Sequence, residues 1–340
     1  MTAPASAPSS AAPEAAAGPA RILLTGGTGF VGGYLRQALE RAYPSARRFL
    51  LLRPEEAPPS ADWTAATADI ADPQSVARAV EEARPELVLH LAAQASAAQS
   101  IQAAEATWRV NFLGSFHLAS AIARHAPEAT ILFVSTADVY GARLGDGPAT
   151  EETGFAPLSA YARSKAATET MLADVLPQSV RLIVARPFNH SGPGQDRRFA
   201  LPSFAAQIAG IEAGRLAPRL EVGDLSVRRD FLDVRDVVDA YVRLIGAAPD
   251  LPPRSVFNIA SGSPRSLSYM LDTLSACATR KFDIVVDPAR LRPADIPVAV
   301  GDSSKLRALT GWRPANSIDD MLRALLDHWR AQERAEDAAS

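Results

Sequence analysis

The stretch "RILLTGGTGFVGGYL", residues 21–35, decides how the rest of the chain is read. Its first five residues, Arg21–Thr25, are a short apolar run bounded by glycine, which predicts a buried strand. Gly26, Gly29 and Gly32 follow at G-x-x-G-x-x-G spacing, and apolar residues recur at helical spacing through Gly29–Tyr43. Strand, glycine turn and helix in direct succession predict a phosphate cradle. One glycine permits the tight turn, another lets backbone N–H groups approach a pyrophosphate, and a third lets the helix pack against the strand. The helix N-terminus then faces negative charge. A merely flexible glycine loop would not require that context.

Outward from this stretch the pattern repeats. Apolar runs at 48–53, 64–70, 86–93, 129–136 and 179–188 read as strands. Between them lie helical segments at 73–83, 103–125 and 159–176, the first with Asp72 as N-cap and Pro73 at its first position. This alternation predicts an α/β fold, a doubly wound Rossmann parallel sheet covered on both faces. Pro187 is expected to stop the sheet ladder. Beyond it proline and glycine become frequent, predicting a smaller, irregular C-terminal substrate domain. The cofactor domain is set at 20–186 with returns near 229–262, and the substrate-binding domain at 187–228 and 263–332. Asp233 and Asp236 are expected to cap a helix, and Ile318, Met321, Leu322 and Leu325 to lie in the core. The Ala/Pro/Ser-rich residues 1–19 are expected to form a disordered tail and not an export signal.

Composition narrows the partners. Of 340 residues 47% are hydrophobic, enough for a substantial core, and the formal net charge is −3. No basic excess points to nucleic acid or an anionic membrane. No run approaches the ~20 apolar residues that span a bilayer. A single cysteine, Cys277, excludes an internal disulfide and a cysteine metal cluster, and suits a cytoplasmic, reducing setting. His117 and His125 lie in a helix without ligand partners, so no metal is assigned.

Two features speak to chemistry. An NAD site usually carries an acidic residue after the second strand, to hold the ribose hydroxyls. Arg53 stands there instead, and a guanidinium suits a 2′-phosphate. NADP(H) is therefore expected, with NAD(H) possible through Glu55 or Glu56. In "YARSKAATE", Tyr161 and Lys165 are one helical turn apart on one face. A nearby ammonium is expected to lower the tyrosine pKa so that the phenol exchanges a proton near neutrality. Ser135 and Thr136 place hydroxyls at the C-terminal edge of the fifth strand, where open parallel sheets bind ligands.

Taken with Asp69-Ile70, "HLAAQAS" (90–96), Asn111, "VSTADVYG" (134–141) and "RPFN" (186–189), these residues resemble the extended short-chain dehydrogenase/reductases of the nucleotide-sugar epimerase/dehydratase type. The resemblance covers nearly everything after residue 20. It implies that Tyr161 is the acid/base, that Lys165 tunes it and holds the nicotinamide ribose, and that Thr136 orients the sugar oxygen. It implies cofactor contacts from Gly26, Gly29, Phe30, Val31, Gly32, Arg53, Asp69, Ile70, Leu91, Ala92, Ala93, Asn111 and Arg186. It also implies a homodimer.

Within that group, 4,6-dehydratases need a glutamate base two residues after the catalytic threonine. Here Thr136 is followed by Ala137 and Asp138, one methylene short, and Asp138 reads as a turn cap ahead of a substrate contact. "VARPFNHSGPGQ" (184–195), "LEVGDLSVRRDFLDVRDV" (220–237) and "DPARLRPAD" (287–295) are most similar to the GDP-4-dehydro-6-deoxy-D-mannose reductases, which make GDP-D-rhamnose; Ser191 departs from the apolar residue usual there. The resemblance then implies a GDP-sugar, with Asn189 and Arg229 at its phosphates, Arg292 beside them, and Asp295 reading guanine. A GDP-mannose 4,6-dehydratase or a nucleotide-sugar 4-epimerase is the alternative enzyme, and an NADP-binding sensor without catalysis the alternative of another class.

Overall fold

A computed structural model describes residues 18–95, 97–291 and 296–339, with side chains of 97–99 and 337–339 left aside. Residues 1–17 of the expected tail, together with Arg292 and Asp295, lie outside the described residues.

The first half runs β1 (Arg21–Thr25), α1 (Phe30–Ala42), β2 (Arg47–Leu52), β3 (Thr64–Thr67), α2 (Pro73–Ala83) and β4 (Leu87–His90). It continues with α3 (Ala97–Gln102), α4 (Ala104–Trp108), a π turn (Arg109–Leu113), α5 (Gly114–His125), β5 (Thr130–Val134), α6 (Ala160–Val175) and β6 (Arg181–Pro187). Next come β7 (Asn189–Ser191), α7 (Ala200–Glu212), β8 (Arg219–Val222), β9 (Arg228–Arg229), β10 (Phe231–Asp233), α8 (Val234–Gly246) and β11 (Arg254–Ile259). The chain closes with β12 (Arg265–Ser266), α9 (Leu267–Ala276), β13 (Asp283–Val286), β14 (Val298–Ala299), α10 (Ser304–Thr310) and α11 (Ile318–Ala339).

Seven strands form one parallel sheet in the order β11-β6-β5-β4-β1-β2-β3. Period-2 alternation divides the strand side chains between two cores. Ile22 and Leu24 meet Leu35 and Leu39 of α1 and Val237 and Leu244 of α8. Leu23 faces Val76 and Val80 of α2 and Leu118 and Ile122 of α5 on the opposite side. Each such side chain contributes about 1.5–3 kcal/mol by leaving water. Strand order reverses between β1 and β4, so their C-terminal ends, Thr25 and His90, flank the crevice where open α/β sheets bind ligands.

Local capping follows the sequence in part. Asp72 accepts the N–H groups of Gln74 and Ser75 at the start of α2. Asp233 caps α8 by accepting from Arg235 N–H. Asp236 is no cap: its carboxylate accepts from Ala315 N, Asn316 N and Asn316 Nδ2, tying the segment before α11 to α8. The sheet does not stop at Pro187 either. Pro187 pairs with Ile259 of β11, and Phe188 N–H donates to Ile259 O at 2.9 Å. The missing proline N–H is tolerated because its neighbours supply the ladder bonds.

Past β6 the chain pairs β7 with β10, Asn189 opposite Phe231, and turns at Gly192-Pro193-Gly194. Gly194 takes φ +87°, the left-handed region that favours glycine. His190 braces this turn. Its ring stacks on Phe30 at 6.4 Å and 9°, and Nδ1 lies 2.9 Å from Phe188 O. Beyond the turn Phe204, Ile208, Leu220, Leu271, Met321, Leu322 and Leu325 form a separate core with Ile318 at its margin. Asp230 clips this region to the sheet. Fully buried, it accepts from Ser261 N and Oγ, Gly262 N and Gly301 N.

Candidate active site

The glycine cradle has no room to spare. Gly26 adopts φ +71°, and a Cβ there would lie 2.7 Å from Ala92 N. A Cβ on Gly32 would meet Gly26 O at 2.3 Å, so the first turn of α1 rests directly on the loop. Gly29 is the N-cap of α1 and brings no side chain to its N–H groups. Phe30 and Val31 open the helix, and Arg36 Nε fixes the loop from behind by donating to Gly27 O at 2.9 Å. These features fit a dinucleotide: a backbone cradle, an uncapped helix N-terminus and a position at the switch point.

The far lip of the crevice carries the remaining expected cofactor residues. Arg53 follows β2 with its side chain largely exposed, paired to Glu55 at 3.3 Å and Glu56 at 3.1 Å. The two glutamates, weighed above as ribose partners, hold this guanidinium, and Thr28 Oγ1 donates to Glu56. An exposed clamp of this kind is weak, so the arginine is able to exchange it for a phosphate. Asp69 is exposed beyond β3 and accepts from Ala71 N, while Ile70 is buried against Gly114. Leu91, Ala92 and Ala93 continue from β4 as a loop against Gly26.

Asn111 does not sit in an unbroken helix over 103–125. The π turn inserts between α4 and α5, a feature common at functional sites. It directs the buried Asn111 amide inward: Oδ1 accepts Gln94 N–H at 2.8 Å and Nδ2 donates to Ser164 Oγ at 3.0 Å.

The structure brings Thr136, Tyr161 and Lys165 together beyond β5. Thr136 caps the turn at 137–139, its Oγ1 accepting Asp138 N–H, so the cap is the threonine and not Asp138. The same hydroxyl lies near the Tyr161 phenol and acts on its pKa. Asp138 is exposed and close enough to act on Tyr161 by its charge. Burial first, then Asp138, push the phenol above its ordinary value, partly offset by the nearby Thr136 hydroxyl. This corrects the expected lowering. The lysine is turned aside: Lys165 Nζ donates to Val134 O at 2.7 Å and lies over the Phe133 ring. Burial pushes Lys165 down to about 7, with Glu169 opposing. The phenol therefore keeps its proton at neutral pH.

Several supporting residues escaped the sequence reading. Glu169 is one helical turn beyond Lys165 and fully engaged: Ser135 Oγ donates to it, and Arg186 pairs with it at 2.6 Å. Arg186, expected among the cofactor residues, is instead taken up by this buried framework. Its Nη1 donates to Tyr140 Oη at 2.9 Å, and Tyr140 donates to Asn258 Oδ1 at 2.6 Å. The i, i+4, i+8 stripe Tyr161/Lys165/Glu169 was the available sequence signal. His90, a lone polar residue in an apolar strand, was another. Burial pushes His90 down to about 3, aided by Lys165. Its folded pKa lies below the ordinary 6.5, so the native state is favoured above that pH and loses this contribution as pH falls from 6.5 through 3. Acid denaturation curves should therefore show less sensitivity over that window in His90→Asn than in the wild type.

On the substrate side, Asn189 is exposed at the start of β7, and Arg229 Nη1 donates to Ile296 O at 2.7 Å. Surface clefts of about 370 Å³ and 190 Å³ flank the Gly192–Gly194 turn, and neither is lined by Thr136, Tyr161 or Lys165. No cluster of metal ligands occurs among the described residues.

A doubly wound sheet, a glycine cradle at its switch point and a threonine–tyrosine–lysine cluster at the neighbouring strand end define a dinucleotide-dependent oxidoreductase of the extended short-chain type. The family model described as GDP-mannose 4,6 dehydratase matches residues 23–325, and the chain belongs to that family. It is 36% identical over 320 residues to the GDP-6-deoxy-D-mannose reductase of Pseudomonas aeruginosa, covering 93% of this chain and 99% of that protein. The solved structure of RMD from Pseudomonas aeruginosa complexed with NADPH superposes with a TM-score of 0.78 at 34% identity, covering 92% and 98% of the two chains. The UDP-glucose 4-epimerase of Thermus thermophilus, solved with NAD, gives 0.78 at 28% identity, covering 91% and 99%.

Proposed function

We propose that this protein reduces the 4-keto group of a GDP-4-keto-6-deoxy-hexose, taking GDP-4-dehydro-6-deoxy-D-mannose to GDP-D-rhamnose with NADPH. The observation that carries the reading is the convergence of Thr136, Tyr161 and Lys165 at the C-terminal end of β5, with Lys165 Nζ anchored on Val134 O. NADPH, when bound, would supply the hydride. Tyr161 gives its proton to the carbonyl oxygen as charge develops there, and Thr136 orients that oxygen. The cradle of Gly26, Gly29 and Gly32 would hold the pyrophosphate, and Arg53 the 2′-phosphate. Lys165, whose Nζ now donates to Val134 O, would hold the nicotinamide ribose. Asn189 and Arg229 engage the sugar diphosphate, with Arg292 and Asp295 at the nucleotide end. The likeness to the Pseudomonas reductase supports both substrate and cofactor.

Elimination is the second reading, because Asp138 lies by the reacting phenol. A shorter carboxylate without a polar neighbour at Ala137 is a poor base for it. Supplied with GDP-4-keto-6-deoxymannose, the enzyme is expected to consume NADPH stoichiometrically. Supplied with GDP-mannose and no reductant, it is expected to leave the sugar unchanged; accumulation of the keto sugar would make it a dehydratase. Tight NADPH binding with no turnover on any 4-keto sugar would make it a sensor.

The working form is a cytoplasmic homodimer. Trp108, Leu113 and Phe116 remain exposed along the α4–α5 segment, and this apolar face supports pairing with a second copy. No helix among the described residues is long and apolar enough to cross a membrane.

A further inference from the structure

We infer that His90 is a positioning residue for the dinucleotide, locking the 91–94 loop to the glycine turn and to the helix that carries Tyr161. The inference rests on the reading of this crevice as the NADPH site.

His90 ends β4, is 1% exposed, and is bonded at both ring nitrogens. Nδ1 lies 2.7 Å from Thr25 Oγ1, and Nε2 lies 2.8 Å from Ser115 Oγ. The direction of the bonds follows from their ends. Ser115 Oγ gives its single proton to Asn111 O at 2.5 Å, so toward the ring it accepts, and Nε2 carries hydrogen. Burial keeps the imidazole neutral, so Nδ1 is bare and Thr25 Oγ1 donates to it. The Thr25 oxygen then accepts the Ala92 N–H at 3.1 Å. One chain of donors therefore runs from Ala92 N–H through Thr25, His90 and Ser115 to Asn111 O, with each proton used once.

That chain governs both ends of the loop. Ala92 is held through Thr25, the residue before Gly26. Gln94 is held at N and O by the Asn111 amide, whose backbone carbonyl terminates the chain. Asn111 also donates to Ser164 Oγ, which donates to Tyr161 O at 2.8 Å. Ala92 already lies as close to Gly26 as glycine permits. A loop that drifts by an ångström changes the width of the crevice between β1 and β4, and small misplacements of binding groups weaken ligands strongly.

The amide substitutions separate the two halves of the ring. His90→Gln keeps a donor near the Nε2 position and removes the Nδ1 acceptor; His90→Asn places a carbonyl oxygen near Nδ1. NADPH affinity is read directly by fluorescence titration, alongside steady-state kinetics. His90→Gln is expected to weaken NADPH binding about 10-fold or more, with KM for NADPH rising in parallel and kcat at saturating cofactor within about 3-fold. His90→Asn is expected to restore affinity to within about 3-fold of the wild type. Thr25→Val, which cuts the chain beside the ring, is expected to reproduce the loss and serves if His90→Gln does not fold. A His90→Gln enzyme that is less stable but binds NADPH as the wild type does would overturn the inference. A wild-type chain that binds neither NADPH nor NADH would instead overturn the functional reading beneath it.

Discussion

Tyr161→Phe is expected to lower kcat for keto-sugar reduction by about 10²–10⁴-fold, the usual worth of a positioned general acid. The substitution keeps the ring and removes only the phenol hydroxyl. NADPH binding, read by fluorescence, is expected to change little, because the cradle and the 91–94 loop do not depend on that hydroxyl. The loss should therefore fall on kcat and on kcat/KM alike, as when an interaction made in the transition state is removed. Wild-type turnover in Tyr161→Phe would assign the proton to another group. Burial and Asp138 both hold the phenol above its ordinary value, so it stays protonated across the neutral range.

Arg186→Leu is expected to cost about 3–5 kcal/mol of unfolding free energy, because it leaves the Glu169 carboxylate buried without its partner. Both side chains are about 5% exposed, and the pair lies at 2.6 Å with Ser135 and Tyr140 bonded to its two ends. The double variant Arg186→Leu/Glu169→Leu is expected to recover most of that loss, since an apolar pair carries no desolvation penalty. Urea unfolding of the two single variants and the double variant measures the coupling. Additive losses would show that Arg186 acts through Tyr140 and Asn258 and not through Glu169.

The framework around Arg186 shows why part of the site could not be read from the chain. Arg186 sits near the end of a strand, three residues before the exposed Asn189, so adjacency placed it with the expected ligand residues. Its partner Glu169 is on a helix packed across the sheet. Nothing local distinguishes a guanidinium that points to the crevice from one that points beneath it. Asp236 and Asp233 illustrate the same limit at shorter range. Both stand at the start of a helix in acidic positions, yet only Asp233 has N–H groups of its own helix to accept. Asp236 is used by residues 315–316, which arrive from far along the chain.

Tyr161 makes the point for chemistry. Its spacing from Lys165 is a property of the helix and was legible. The direction of its pKa was not, because burial and the charge of Asp138 raise it, while the Lys165 side chain is turned toward Val134 O. His90 was visible as a polar residue in an apolar strand, but its meaning lay in Thr25, Ser115 and Asn111, which come from three other segments.

By itself, then, the sequence determined whatever is written within a few residues: the strand–glycine–helix cradle, the alternation that makes the sheet parallel, the Asp72 cap, and the shared face of Tyr161 and Lys165. These depend on backbone sterics and on periods of two and 3.6 residues. Tertiary structure alone decided which buried polar groups meet. It chose Glu169 for Arg186, residues 261–262 and 301 for Asp230, and Thr25 and Ser115 for His90. A buried polar group must find a partner, but the partner is whichever element packing brings within about 3 Å.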